Sequence, residues 1–192
     1  MPRRSVQVEK LVEAMKHAAA AMRDADVRFA LGGGLACWAR GGPATDHDVD
    51  FLVKPEDVER AQEALATAGM RVERPPEDWL LKAYHDDTLV DLIFCPSGGV
   101  VTDETLDRAE EREVMAMRLP VISLEEVLAT KLLALTEQEP DYGSVLEIAR
   151  TLREQIRWSE VRERTQQSPF AKAFFTLVEE LGILPEHSRQ AA

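Results

Sequence analysis

Asp48 and Asp50 are the residues whose type and spacing indicate chemistry most directly. They stand two positions apart at the start of the apolar run Phe51–Val53. Alternate residues of a strand share one face of a sheet, so both carboxylates are expected to point the same way. Two crowded carboxylates repel each other unless a proton or a cation relieves them. Because Mg²⁺ prefers oxygen ligands, the pair predicts a magnesium site.

A glycine turn and a third carboxylate accompany this pair. Gly33 and Gly34 follow a short predicted strand and precede a short predicted helix, where free backbone N–H groups are suited to binding phosphate. Asp91 stands alone in a later apolar strand that could neighbour the first pair. A phosphate-binding turn and three carboxylates are the equipment for metal-assisted phosphoryl or nucleotidyl transfer.

Hydrophobic periodicity predicts the elements that position these residues. Strands and helices alternate first, and helices alone follow residue 122, which predicts an α/β fold with a mixed sheet as the core over 1–122 and a helical C-terminal region over 123–192 packed on it. The predicted helices before this boundary cover 5–24, 35–40, 55–68 and 103–112. The predicted strands cover 27–31, 48–53, 70–73, 79–84, 89–94 and 113–122. The later helices fall near 123–136, 142–155, 159–166 and 169–181.

Two finer signals concern the end of the core. Pro120 interrupts the last predicted strand and indicates an edge position, because proline cannot donate to a sheet ladder. Ser123 and Glu126 have the spacing of a capping box at the start of the next helix.

Composition excludes several classes of protein. The chain has 192 residues, a net charge of −12 and 45% hydrophobic residues, which is typical of a globular domain and not of a protein that binds nucleic acid with its whole surface. Cys37 and Cys95 lack metal-site spacing and are expected to be free thiols. No apolar run approaches the ~20 residues of a membrane span, and no signal-peptide core is present, so a cytoplasmic protein is expected.

The motifs together resemble the nucleotidyltransferase superfamily of DNA polymerase β. The matching segments are Leu31–Gly34, Asp48-Val49-Asp50 and Val90-Asp91-Leu92. The sequence pattern ALGGGLA…DHDVDFLV resembles that of the AbiEii/MenT-like branch, the toxin components of bacterial toxin–antitoxin pairs. Residues 127–135, which include Lys131, resemble the helical lysine motif of that branch.

The resemblance implies an NTP substrate and a mechanism. Asp48, Asp50 and Asp91 would bind Mg²⁺, and Asp91 would also help to deprotonate an acceptor hydroxyl. The residues implied in nucleotide binding are Gly33, Gly34, Thr45, Lys131 and Asp141. The sequence departs from the branch in lacking an arginine beside Asp141, in having Ser144 at the place of a further acid, and in having no Ser or Thr directly before Asp48.

The acceptor implied by the resemblance is the 3′ end of tRNA, or else a protein hydroxyl, with a cognate antitoxin as partner. The candidates for an RNA-binding face are arginines 150, 153, 157, 162 and 164. One alternative is transfer to a small molecule such as an aminoglycoside, which the acidic chain suits. Another is a binding module with a decayed site, such as an antitoxin or a regulatory subunit, as the departures would allow.

Structural interpretations compete with these roles. Lys131 could be a lysine that extends along an apolar helix face to reach solvent, and Asp141 could cap the helix that follows it. His47 could touch the metal but is more simply a polar surface residue. His85 and the three tryptophans are expected to be structural.

Overall fold

The structure is a computed structural model that describes residues 2–45 and 48–184, with the side chains of 2–6 left out. In these ranges it contains eight α-helices and one seven-stranded sheet. The helices are α1 (Pro2–Asp24), α2 (Gly33–Trp38), α3 (Val58–Thr67), α4 (Asp103–Asp107), α5 (Leu124–Ala134), α6 (Gly143–Leu152), α7 (Trp158–Thr165) and α8 (Pro169–Glu180). The strands are β1 (Phe29–Leu31), β2 (Val49–Val53), β3 (Arg71–Glu73), β4 (Leu80–His85), β5 (Thr88–Ile93), β6 (Glu110–Val114) and β7 (Met117–Val121).

The sheet is mixed, as the sequence predicts. Its strand order is β3-β4-β5-β2-β1-β7-β6. The pairs β2–β5 and β1–β7 are parallel, and the other pairs are antiparallel. The α/β fold class is therefore confirmed.

The two faces of β2 have different neighbours. Val49, Phe51 and Val53 are fully buried on the face covered by α1, which packs against α3 and the central strands. Asp50 and Leu52 point to the other side, where α2 and α5 contact each other. This alternation places a carboxylate inside the fold but next to a cavity.

The described chain after β7 is helical apart from its loops. Helix α5 contacts α2 in the core and also α6, α7 and α8, with Leu128, Leu132 and Phe174 fully buried. Across the described ranges, none of the helices combines the length and the apolarity that crossing a membrane requires.

The predicted helix 103–112 is wrong in its second half. Helix α4 ends at Asp107, and the charged run Glu110–Glu113 belongs to the edge strand β6. Charged residues are common on edge strands because they discourage pairing with other chains.

The predicted single strand 113–122 is also wrong, because β6 and β7 form a hairpin. Met115 and Ala116 make its turn with φ values of 48° and 62°. Left-handed turn residues are usually Gly, Asn or Asp, so the sequence carries no signal for this turn.

Pro120 does not lie at the sheet edge, since β7 stands between β1 and β6. The proline is tolerated because β1 pairs with β7 through Leu31 and Val121, one residue further on. The predicted capping box is half formed. The Ser123 hydroxyl accepts the Glu126 N–H at 3.2 Å, but the Glu126 carboxylate binds Arg164 instead of returning to Ser123.

Candidate active site

The register of the sheet brings three carboxylates together. Asp50 on β2 lies directly opposite Asp91 on the parallel strand β5. Asp48 immediately precedes β2 and points to the same side as Asp50. One oxygen of each carboxylate lies within 4.8 Å of an oxygen of the other two. Residues 43 positions apart in the chain therefore share one acidic cluster.

The electrostatics of this cluster favour a cation. Burial raises the pKa of Asp50 and the negative charges of Asp48 and Asp91 raise it further, so that it reaches about 7 against the opposing effect of Lys131 and Lys82. The pKa of Asp91 is raised as well, mainly by burial. Three oxygen donors with too little positive charge around them fit a hard divalent cation, which tolerates a carboxylate set.

The glycine turn fits closely around the acidic cluster. Gly33 has a φ of +52°, and a Cβ on it would overlap the carboxylate of Asp50. A Cβ on Gly34 would lie 2.8 Å from the Thr45 hydroxyl oxygen. The backbone at the start of α2 thus contacts Asp50 on one side and Thr45 on the other, which only residues without a side chain permit.

A cavity of about 500 Å³ opens beside Asp50 and Gly33. Its walls are mainly apolar, and the apolar residues include Leu52, Trp79, Ile93, Ile122 and Val127. Its polar residues include Asp78, Glu126, Thr130 and Lys131. Lys131 therefore lies on the cavity wall near Asp50, whose pKa its charge lowers, and not simply at the helix surface. The volume is within the range of ligand-binding pockets.

Asp141 has a local structural contact. Its carboxylate accepts a hydrogen bond from the N–H of Gly143 at 2.8 Å, at the start of α6. Among the described residues that line the cavity, Asp141 is not found. A role in nucleotide binding stays a prediction, and His47 lies outside the described residues.

The sequence as a whole matches a family model. Residues 10–179 match a model described as "Uncharacterised nucleotidyltransferase". The chain belongs to this nucleotidyltransferase family. The superfamily predicted from the motifs is therefore confirmed, and the protein is an enzyme that transfers nucleotidyl groups. The AbiEii/MenT-like branch stays a prediction.

Solved structures agree with this nucleotidyltransferase fold. ANT(2'')-Ia in complex with adenylyl-2''-tobramycin matches with a TM-score of 0.66 and 17% identity over 85% of this chain and 98% of that chain. The solution structure of the same antibiotic-resistance factor matches with a TM-score of 0.60 and 16% identity, over 89% of this chain and 96% of that chain. The lincomycin-bound structure of the lincosamide antibiotic adenylyltransferase LnuA matches with a TM-score of 0.50 and 16% identity, over 71% of this chain and 92% of that chain. Among curated proteins, none matches the sequence.

Lys82 is a site residue of this nucleotidyltransferase that motif analysis missed. Its Nζ lies 3.4 Å from Oδ1 of Asp91, because β4 pairs with β5 so that Lys82 stands opposite Asp91. The sequence predicts a hairpin around residues 85–88, and counting back along its two strands from the turn places Lys82 opposite Asp91. Trp79 was expected to be structural but lies on the cavity wall with 39% of its surface exposed.

Proposed function

We propose that this nucleotidyltransferase moves a nucleoside monophosphate from an NTP to a hydroxyl group of a small molecule. The observation that carries the proposal is the cluster of Asp48, Asp50 and Asp91 beside a cavity that opens next to Asp50. A cavity of about 500 Å³ lies within the range of pockets that enclose ligands of drug size.

Asp48, Asp50 and Asp91 would hold divalent metal, with Mg²⁺ the expected ion. Bound there, the metal would neutralise the negative charge of the triphosphate. The ammonium group of Lys131 on the cavity wall binds phosphate oxygens. The N–H groups of Gly33 and Gly34 face the same ligand, with Thr45 supporting the turn. Asp141 remains a further candidate for nucleotide binding.

The transfer itself is an in-line displacement at the α-phosphorus. The acceptor oxygen forms a bond to the α-phosphorus while the bond from this phosphorus to the β-phosphate oxygen breaks, and pyrophosphate leaves. Asp91 accepts the proton of the acceptor hydroxyl. Lys82 beside Asp91 favours the ionised carboxylate that this step requires.

The arginines predicted to form an RNA face are mostly neutralised. Four of the five form ion pairs in the described part of the chain. These pairs are Arg153–Glu154, Arg157 with Glu125 and Glu160, Arg162–Glu179 and Arg164–Glu126. Phosphate binding depends on unpaired positive charge, so this region offers little to a tRNA acceptor.

Other observations support a small acceptor that carries an amine. ANT(2'')-Ia was solved with an adenylylated tobramycin and LnuA with lincomycin, and both share this fold. The net charge of −12 attracts cations, and the exposed carboxylate of Asp78 lies at the cavity. Apolar walls suit a ring system beside the amine.

A labelling assay tests the proposal directly. The protein is incubated with Mg²⁺, each α-labelled NTP in turn, and a panel of hydroxyl-bearing amino sugars and lincosamides, with bulk tRNA as a separate reaction. We expect label on at least one small molecule. Asp50→Asn should remove this label, whereas Asp87→Asn, an exposed change in the β4–β5 turn, should leave it unchanged.

The same assay separates the competing interpretations. Label on tRNA and on no small molecule would contradict the proposal and support the tRNA-directed toxin that the sequence motifs predict. If no NTP gives any labelled product and calorimetry detects no Mg²⁺-dependent NTP binding, the site is decayed. The toxin role and a cognate antitoxin stay predictions of the sequence resemblance.

Lys131→Met is expected to raise the KM for NTP by about tenfold to a hundredfold, because one charge-assisted hydrogen bond to phosphate is lost. The substitution keeps an unbranched side chain at this position of α5 and removes the charge near Asp50. Initial rates over a range of NTP concentrations measure the effect. Lys172→Met on α8, an exposed lysine outside the cavity, is the control. Equal KM values for the two variants would exclude a phosphate-binding role.

A further inference from the structure

A second cavity, of about 410 Å³, lies at the beginning of α5. Six charged residues line it, and four of them are arginines. These are Arg40, Arg108, Arg112, Arg157, Glu110 and Glu125. Such a concentration of positive charge is unexpected in a chain with a net charge of −12.

The charges around Glu110 do not balance. Arg112 donates to the Glu110 carboxylate at 2.7 Å, and Arg40 lies 3.6 Å from the same oxygen. Arg108 has no ion pair with any residue of 2–45 or 48–184. The neighbouring Glu111 faces the opposite side of β6, where it lines a different groove. Arg40, Arg108 and Arg112 therefore stand on the cavity wall with one carboxylate, that of Glu110, which leaves an excess of two positive charges.

Arg40 is a buried part of this excess. Only 3% of its side chain is exposed, and its guanidinium donates to the carbonyl oxygens of Ala36 at 2.9 Å and Val121 at 3.2 Å. Burial lowers the pKa of Arg40, and the positive charge of Arg112 lowers it further. Neutral carbonyl groups satisfy its hydrogen bonds but supply no full negative charge.

The other carboxylate of the wall, that of Glu125, also favours the charged form of Arg40, but the charge of Arg157 already matches it. Glu125 is already occupied, since it accepts the N–H of Arg157 at 2.8 Å and pairs with the guanidinium of Arg157 at 3.2 Å. Ser123 and Leu124 form the N-terminal end of α5, whose helix dipole is positive there.

We propose that this second cavity binds a small phosphate-bearing anion, either inorganic diphosphate or the phosphate groups of a nucleotide. The charge of such a ligand matches the excess of two positive charges, and guanidinium groups bind phosphate in a bidentate manner. The site is separate from the acidic cluster, because other residues of α5, among them Thr130 and Lys131, line the first cavity. The inference does not depend on the proposed transfer reaction.

Calorimetry tests the site without involving the reaction. Inorganic diphosphate and ADP are titrated separately into the whole protein in EDTA, so that the acidic cluster holds no metal and repels both anions. Arg108→Gln with Arg112→Gln should weaken diphosphate binding at least about tenfold, because two charge-assisted contacts are lost. The matched control is Arg60→Gln with Arg74→Gln, which removes two paired surface arginines elsewhere and should change nothing.

Each outcome decides the proposal. Equal affinities for diphosphate and ADP would show that the phosphates alone are recognised, and tighter ADP binding would identify a nucleotide site. No binding of either probe, or binding that the arginine substitutions leave unchanged, would overturn it. So would binding of a short RNA through these arginines without binding of diphosphate. If the double variant does not fold, Arg108→Gln alone should weaken binding about threefold, because this exposed residue has no ion pair within the described part of the chain.

Discussion

Asp50→Asn is expected to lower nucleotidyl transfer at least about a thousandfold while it stabilises the metal-free protein. Asparagine keeps the shape of the side chain but removes one of three carboxylates from the metal site. The same change removes repulsion between Asp50 and its neighbours Asp48 and Asp91. The two effects have opposite signs, because the cluster is arranged for a cation and not for the stability of the empty fold.

The stabilisation should depend on pH. Asp50 has a pKa of about 7 in the folded protein against an ordinary value of 3.8 for an aspartate. The folded wild type therefore binds more protons than the unfolded chain between these values, and its stability falls as pH rises through this window. Asparagine does not titrate. The advantage of the variant should thus grow from about pH 4 to about pH 7, stay constant above this, and reach about 4 kcal/mol at most.

Urea unfolding in EDTA at about pH 5 and about pH 8 measures this difference. Added Mg²⁺ should then raise the Tm of the wild type and not that of Asp50→Asn, since a ligand that binds the native state stabilises it. Asp87→Asn should behave as the wild type in each measurement. A variant that is less stable than the wild type at the higher pH in EDTA would show that the three carboxylates do not repel each other in the folded state.

The sequence predicts the acidic cluster well where short spacing decides it, at Asp48 and Asp50, whereas Asp91 joins them through the parallel pairing of β2 with β5. The spacing of Asp48 and Asp50 fixes their common face, and the long apolar strand around Asp91 needs a central place in the sheet. Glycine is likewise informative at Gly33, where a side chain would occupy the space of the Asp50 carboxylate. Residue type and short spacing carry this part of the site.

The other parts of the fold and of its cavities depend on contacts between distant segments, which residue spacing does not encode. The β6–β7 hairpin turns at Met115 and Ala116, residues that give no turn signal. The arginines of the helical region look like a basic face in the sequence, but packing of α7 on α5 brings Arg157 and Arg164 to Glu125 and Glu126. The second cavity arises from four separate segments, around residues 40, 108–112, 123–125 and 155–157, none of which signals a site alone.

Gly33→Ala is expected to reduce nucleotidyl transfer about a hundredfold or more. An alanine Cβ at this position would overlap the Asp50 carboxylate, so this side chain or the turn must move. Displacement of a catalytic group by about 1 Å can reduce a rate about a hundredfold. The φ of +52° adds backbone strain, and together the two effects should cost about 1–3 kcal/mol of stability.

Gly41→Ala separates strain from overlap. Gly41 also has a positive φ, of +84°, but a Cβ on it would meet nothing within 4 Å. This variant should lose about 1 kcal/mol of stability and keep its transfer rate and its Mg²⁺-dependent NTP binding. Gly33→Ala should lose both activities, as measured by the labelling assay and by calorimetry. If both variants lose activity to the same extent, backbone strain alone explains the loss, and the close contact between the glycine turn and Asp50 has no catalytic role.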